Sequence, residues 1–233
     1  MSLKIFCDFD GTITHRETGS ELFREVKELH ELQLMYEQRQ LISQNFWKTV
    51  TQKSRKFSDD EIEHFFRTFP IDETFKPFSE FCQEKQLDLY IVSDGLDFYI
   101  HGIFAAHDIA DIPIFANITT FTEGKFHVQF PFSREHCLLT ANCKCMHVLG
   151  NSGEEDSIVY IGNGTGDCCP AERSDIVFGK QKLAAYCEKN GIPYHHYHSF
   201  SDIQKQIEKY LQRPKPYKRK TAELKRKELW AQE

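Results

Sequence analysis

The sequence predicts an α/β fold: a parallel sheet interleaved with helices, with an all-helical insert after the first strand. Three observations predict it. Short apolar runs at residues 5–7, 87–92 and 157–161 are separated by stretches of helical periodicity, the alternation that parallel sheets require. Each run ends in polar groups: Asp8 and Asp10, then Ser93, then Asn163 and Asp167. In open parallel sheets ligands bind beyond the strands' carboxyl ends, so these groups are expected to share one crevice. Residues 15–72, by contrast, carry helical patterns only.

The bulk properties bound the function. The chain has 233 residues, enough for one or two domains, and is 40% hydrophobic and 27% charged, as in an ordinary globular protein. A formal charge of −6 gives no global reason to expect nucleic acid. No run of 18 apolar residues occurs, so no membrane span is expected. A strand at the very start leaves no room for a signal peptide, which predicts a cytoplasmic protein whose eight cysteines are mostly reduced.

The first strand carries the chemistry. Alternate residues of an extended chain face the same way, so Asp8 and Asp10 point together, and Gly11 allows a turn beside Thr12 and Thr14. Two like charges side by side repel unless a cation or shared proton relieves them, and hard oxygen ligands suit Mg²⁺. The string Asp8-Phe9-Asp10-Gly11-Thr12-Ile13-Thr14 resembles the first motif of the haloacid dehalogenase superfamily of phosphotransferases. The resemblance implies a Rossmann-like core in which Asp8 attacks phosphorus and Asp10 handles the proton. Elementary chemistry agrees: a carboxylate can form an aspartyl-phosphate, and a neighbouring acid can protonate a leaving alkoxide.

The insert follows. Ser20 could cap a helix through Leu22, Phe23, Val26 and Leu29; residues 43–54 place Phe46, Trp47 and Val50 on one face; Ser58 and Glu61 fit a capping box for a helix ending before Pro70. By resemblance, residues 15–72 are a cap that closes over the site and selects substrate, residues 1–14 and 73–212 are the core, and 213–233 form a basic tail. Glu17, Arg39 and Lys48 are the candidate selectors on the cap and its rim, with a solvated charge as the plain alternative for each.

A helix over 74–85 leads to the second strand and Ser93-Asp94-Gly95, then to a helix over 96–106. A Ser-x-Gly turn opening a helix offers backbone N–H groups and a hydroxyl to an anion. In register it resembles the second motif, with Ser93 as the phosphate-binding hydroxyl; Asp94 and Gly95 beside it, with Thr12 and Glu17, are expected to bind substrate. Residues 111–130 alternate around Glu123-Gly124-Lys125 and predict a β-hairpin beside the site. Between 136 and 147 lie His136, Cys137, Cys143, Cys145 and His147, open to a zinc site, a disulfide or simple packed thiols. Lys144, 18 residues before Gly162, stands where the superfamily's third-motif lysine is expected.

The third strand ends in Gly162-Asn163-Gly164-Thr165-Gly166-Asp167, with Pro170 suited to a first helical turn. This resembles the fourth motif, which holds the metal, but Asn163 replaces its first aspartate. By resemblance Mg²⁺ is held by Asp8, Asp10, Asn163 and Asp167, with weaker affinity unless Asp167 compensates. That substitution also supports a reading of another class, a catalytically weak phospho-ligand-binding protein. Residues 175–178 and 193–197 predict strands, 182–189 a helix, and Ser201 a cap for a helix through Leu211. Alternation puts His196 and His198 on one face and His195 on the other. The tail, with Lys215, Lys218, Arg219, Lys220, Lys225, Arg226 and Lys227, reads as a solvated helix or frayed end, and Trp230 could dock it on its own domain or on a second subunit as a homodimer.

The order of motifs resembles the phosphoserine-phosphatase-like branch of the superfamily over residues 3–211. Within it, Asp97-Phe98-Tyr99 and the cysteine-rich stretch resemble the methionine-salvage phosphatases of 2-hydroxy-3-keto-5-methylthiopentenyl-1-phosphate. Ser93-Asp94 and Gly166-Asp167-Cys168-Cys169-Pro170 resemble the phosphoethanolamine and phosphocholine phosphatases. The resemblance implies Mg²⁺-dependent hydrolysis of a small phosphorylated metabolite through an aspartyl-phosphate. Phosphocholine, phosphoethanolamine or phosphoserine are the alternative substrates, and transfer to an alcohol rather than water is a competing reaction.

Overall fold

The computed structural model describes residues 3–38, 40–109, 111–135, 137, 140–215 and 217–230. Its strands are β1 (Leu3–Cys7), β2 (Asp88–Leu96), β3 (Ile114–Thr122), β4 (Lys125–Gln129), β5 (Ser157–Gly162), β6 (Ile176–Gly179) and β7 (His195–His196). They form one seven-stranded sheet in the order β4-β3-β2-β1-β5-β6-β7. All neighbours pair in parallel except β3 and β4. β1 lies between β2 and β5, and Ile5, Phe6 and Cys7 are fully buried, as expected of a strand covered on both faces. Alternation sorts its side chains: Ile5 and Cys7 join the larger apolar core, and Phe6 joins the opposite one with Val92, Ile158 and Tyr160.

Residues 15–72 contain α1 (Thr18–Leu22), α2 (Leu29–Glu37), α3 (Ser43–Lys53) and α4 (Asp59–Thr68). The single helix expected from Ser20 through Leu29 is instead two, and Ser20 lies inside α1. Tertiary anchors override the periodicity. The Thr18 N–H is captured by Asp10, and Phe23 turns inward against the rings of Trp47, Phe57 and Phe126. The capping box holds: Ser58 Oγ accepts from the Glu61 N–H at 3.2 Å, and the Ser58 N–H donates to Glu61 Oε2 at 2.8 Å.

The hairpin also forms. Glu123 and Gly124 make its two-residue turn, with φ of 51° and 77°, the mirror-image turn that matches strand twist. Rather than flanking the sheet, β3 is part of it, and the hairpin tip props the insert. The Phe57 N–H donates to the Gly124 carbonyl at 3.0 Å, Lys125 Nζ donates to the Ser54 carbonyl, and Phe126 packs on Phe57.

The remaining core helices are α5 (Phe75–Glu84), α6 (Asp97–Ala106), α7 (Lys144–Gly150), α8 (Cys168–Glu172), α9 (Gln181–Lys189) and α10 (Phe200–Leu211). α10 is capped by Ser199 with Asp202, not by Ser201, which sits one residue into the helix. The strand expected over 193–197 shortens to β7. There His195 stacks on Phe178, while His196 and His198 lie with ring centroids 4.8 Å apart.

The tail departs most from expectation. Its helix, α11 (Lys220–Trp230), docks on the core. Arg219 and Arg226 are buried. The Arg219 guanidinium donates to the carbonyls of Ala171, Glu172 and Ser174, and the Arg219 backbone N–H donates to Asp175 Oδ1. Arg226 Nη2 reaches the same Asp175 oxygen at 3.3 Å. A basic run normally belongs to solvent, but α8 turns its final carbonyls toward these arginines and Asp175 supplies the counter-charge. Leu229 covers Cys143, Cys145 and Leu149. Residue 230's side chain and His136 lie outside the described residues.

Candidate active site

The carboxyl ends of β1, β2 and β5 open on one cavity of about 510 Å³. Asp8, Asp10, Glu17, Ser93, Asp94, Gly95, Lys144, Asn163 and Asp167 all line it. Thr12 is not on its wall, Lys48 lies over the Phe130 ring instead, and Arg39 is outside the described residues.

At the centre, Lys144 Nζ bridges two carboxylates, donating to Asp8 Oδ1 at 2.6 Å and to Asp167 Oδ1 at 2.7 Å. All three groups are buried. Burial alone would push the lysine down, but the charges of Asp167 and Asp8 outweigh it and hold Lys144 above its ordinary value. Burial, with the like charge of Asp167, pushes Asp8 well up against the pull of Lys144. One buried cation thus faces more than one buried carboxylate.

Asp167 spends both oxygens on its surroundings. Oδ1 also accepts from the Tyr160 hydroxyl at 2.7 Å, and Oδ2 accepts the N–H groups of Asn163 and Gly164 at 3.0 and 2.8 Å. It therefore shapes the glycine-rich loop and anchors Lys144. Gly162 is needed there because a Cβ would lie 2.6 Å from the Asp167 carboxyl.

Asp8 keeps one oxygen less engaged. Its Oδ2 lies 3.3 Å from the Thr12 hydroxyl, which also lies 3.0 Å from Asn163 Oδ1. Asn163 Nδ2 donates to Gln181 Oε1 at 3.2 Å, while its amide oxygen accepts from the Thr12 hydroxyl. Gln181 adopts φ 51°, a strained backbone for a non-glycine residue.

The superfamily implies a divalent cation at this point, and the residues fit one. Asp8 Oδ2 and Asn163 Oδ1 are hard oxygen donors in one corner beside uncompensated negative charge. Among the described residues no group of three or more His, Cys, Asp or Glu gathers around one point, as suits Mg²⁺, which takes one or two carboxylates with water and phosphate oxygens.

Asp10 stands in the same cavity with both carboxylate oxygens bonded. Its oxygens accept from the Thr18 N–H at 2.7 Å and the Tyr99 hydroxyl at 2.9 Å. Burial raises it above the ordinary carboxylate value, and those bonds only partly offset the rise. Gly95 permits this arrangement, since a Cβ there would lie 1.8 Å from the Tyr99 hydroxyl. The Gly95 N–H donates to Ser93 Oγ at 3.0 Å, which leaves the Ser93 proton free to point at an anion.

Asp94 lines the cavity and is also held by the protein on both oxygens. Its Oδ1 accepts the N–H groups of Ala141 and Asn142 at 2.7 and 3.0 Å, and its Oδ2 accepts the hydroxyls of Ser43 and Tyr36 at 2.6 and 3.2 Å. The Trp47 indole donates to the Asp94 carbonyl at 2.8 Å. The carboxylate thus ties α2 and α3 to the segment that leads into Lys144. Asn142 continues the tie, donating to the carbonyls of Ser93 and Phe115, both at 2.7 Å. His147, lowered to about 4 by burial and hence neutral, bonds Asn142 Oδ1 and stacks on Phe115.

Glu17 stands on the cavity wall, open to its solvent but crowded by protein. Burial, then the charges of Asp10 and Asp167, raise it to about 7, while Lys144 and Lys182 pull the other way. Sequence reasoning passed over Tyr160, Gln181, Thr140, Tyr36 and Ser43 as site residues. Tyr160 stands two residues before Gly162 and Thr140 four before Lys144, close to the motifs, whereas Gln181, Tyr36 and Ser43 are brought in by folding.

Comparison with known proteins adds to this picture. Residues 3–187 match the family described as "Putative Phosphatase". The chain is 29% identical over 221 residues to a 2-hydroxy-3-keto-5-methylthiopentenyl-1-phosphate phosphatase of Bacillus cereus, covering 91% of this chain and 99% of that one. A similar phosphatase of Bacillus cytotoxicus is 27% identical over 216 residues, covering 89% and 97%. Among solved structures, a phospho-aspartyl intermediate analogue of phosphoserine phosphatase superposes with a TM-score of 0.66 at 17% identity, covering 88% of this chain and 99% of that one. A hydrolase of the haloacid dehalogenase family from Salmonella enterica superposes with 0.70 at 16% identity, covering 88% and 70%.

Proposed function

From the premise that this chain belongs to that phosphatase family, within the haloacid dehalogenase superfamily, we propose that it hydrolyses a small phosphomonoester through an aspartyl-phosphate on Asp8. The observation that carries the reading is the Asp8–Lys144–Asp167 bridge at the ends of β1 and β5, with Asp10 in the same cavity. Asp8 attacks phosphorus, and the departing alkoxide takes its proton from Asp10, which burial keeps a competent acid. Water then gives its proton to Asp10 and attacks the aspartyl-phosphate, releasing phosphate and restoring Asp8. Lys144 and the Ser93 hydroxyl hold the phosphate's oxygens, and positioning with charge neutralisation does most of the work. A divalent cation, for which Mg²⁺ is the expected ion, would be held by Asp8, the Asp10 carbonyl and Asn163, and supplies charge neutralisation at the phosphate. Asp167 supports this corner through Lys144 and the loop rather than with a free oxygen.

For the substrate we favour a methylthio enol phosphate of the kind named for the Bacillus relatives. The insert's side of the cavity presents Leu34, Leu41, Phe46 and Trp47, a wall suited to an apolar thioether tail. A second reading has its own support: Glu17 beside those aromatic rings would suit a cationic head such as choline or ethanolamine.

The test is phosphate release from a panel containing the methionine-salvage enol phosphate, phosphocholine, phosphoethanolamine and phosphoserine, with and without Mg²⁺. Mg²⁺-dependent turnover that Asp8→Asn abolishes supports the proposal. Turnover unchanged in Asp8→Asn sinks it. Phosphoryl transfer to an added alcohol, in place of free phosphate, would move the reading to a transferase.

A further inference from the structure

Behind the Lys144–Asp167 bridge lies a pair of thiols the mechanism does not use. Cys145 follows Lys144 at the start of α7, and Cys169 lies two residues beyond Asp167 at the start of α8. Their sulfurs are 2.9 Å apart, with the Cys145 thiol donating to Cys169 Sγ. Arg173 Nη1 also lies 2.9 Å from Cys169 Sγ. Cys169 is partly exposed, whereas Cys145 is buried under Leu229 of α11 together with Cys143. The geometry is that of an accessible sulfur supported by a guanidinium, backed by a buried thiol already in contact with it.

We propose that Cys145 and Cys169 are an oxidative modification site, closed by a peroxide into a reversible disulfide that lowers turnover. The chemistry balances with a peroxide as the named oxidant. The Cys169 sulfur, as thiolate, attacks one oxygen of hydrogen peroxide; the O–O bond breaks and hydroxide leaves, giving a sulfenic acid. The Cys145 sulfur then attacks the Cys169 sulfur; the S–O bond breaks, and the departing hydroxide takes the Cys145 proton as water. Two thiols lose two electrons in total, and the peroxide is reduced to two waters. A dithiol reductant reverses the step by exchange.

The consequence for turnover rests on the phosphatase reading above. A disulfide draws the sulfurs from 2.9 Å to about 2.05 Å. The starts of α7 and α8 must absorb that movement, and these are the points that carry Lys144 and lie next to Asp167. Lys144 Nζ is held to two carboxylates at 2.6 and 2.7 Å, so a shift of this size is felt where the charges must align. Displacements near 1 Å can cost up to about 100-fold in rate, so a loss of about 10-fold is expected.

The full-length protein would be treated with hydrogen peroxide, quenched, digested without reductant and mapped by mass spectrometry, with phosphate release measured before and after dithiothreitol. The expected result is a peptide linked between Cys145 and Cys169, the loss of two hydrogens from the intact mass, and a drop in turnover that dithiothreitol restores. Cys145→Ser and Cys169→Ser should each resist the reversible drop. If either folds poorly, Cys169→Ala provides the second control. Linkage between other cysteines, turnover unchanged by the mapped disulfide, or a loss that persists in Cys145→Ser would overturn the proposal. So would one tightly bound zinc per chain that shields these thiols until chelated. If the linked peptide forms but no phosphoester is turned over even when reduced, the site stands as a modification site and the phosphatase reading alone fails.

Discussion

The two walls of the cavity are built on opposite principles. The core wall is charged and redundant: Lys144 touches two carboxylates, and Asp167 has four donors spread over a lysine, a tyrosine and two backbone N–H groups. Asp8 follows β1, Asp167 lies in the turn after β5, and Lys144 opens α7. The insert wall is mostly neutral, with Tyr36, Phe46 and Trp47 among its residues, and it is tied to the base of the site through Asp94 and through the Thr18 N–H on Asp10. Both walls use a buried carboxylate, but to different ends. Asp8 leaves one oxygen less engaged, whereas Asp94 gives every oxygen to the protein.

The largest expected effect lies on the core wall. Asp8→Asn should reduce turnover at least about 10³-fold while leaving the fold intact, measured by phosphate release and circular dichroism. Equal loss from substitutions on both walls would erase the distinction drawn here.

Next comes the tie. Asp94→Ala leaves two hydroxyls and two N–H groups without their acceptor, so kcat/KM should fall about 10²-fold, with faster proteolysis within residues 18–53. Asp94→Asn should recover much of both. Its amide oxygen can serve Ala141 and Asn142, and the hydroxyls of Ser43 and Tyr36 can rotate to accept from its NH₂. A pure loss of substrate affinity, with proteolysis unchanged, would mean that Asp94 meets substrate instead.

A smaller effect would sharpen the electrostatics of the core wall. Asn163→Asp puts a charged ligand where an amide oxygen now shares the Thr12 hydroxyl with Asp8, so the Mg²⁺ concentration for half-maximal turnover should fall about 10-fold. No change in a Mg²⁺ titration would place the cation away from Asn163.

The smallest effect concerns Glu17, where the walls meet. Its folded value of about 7 exceeds the ordinary carboxylate value of 4.5, so the native state binds more protons than the unfolded state between those limits. This contribution therefore favours the native state below that window and is lost as pH rises through it. Thermal denaturation from pH 4.5 to 7.5 should show a decline in stability that Glu17→Gln flattens. An unchanged slope would show that Glu17 titrates normally.

The sequence by itself determined the sheet and the chemistry at its strand ends. Apolar runs ending in Asp8, Ser93 and Asn163 can be read locally, because strand burial and turn geometry depend on neighbours in the chain. Lys144 was legible only through its register with the other motifs, and the structure puts its Nζ between Asp8 and Asp167. What the tertiary structure alone decided are the contacts between distant segments. The basic tail docks because the carbonyls at the end of α8 and Asp175 happen to face Arg219 and Arg226. The predicted first helix of the insert splits because Asp10 captures Thr18 and Phe23 finds aromatic partners more than 20 residues away. The partners of Asp94, namely Tyr36, Ser43 and the 141–142 backbone, come from segments far apart in the chain. Local propensity reports what a residue can do. Which partner satisfies a buried charge depends on who else is buried beside it, and that is known only once the chain has folded.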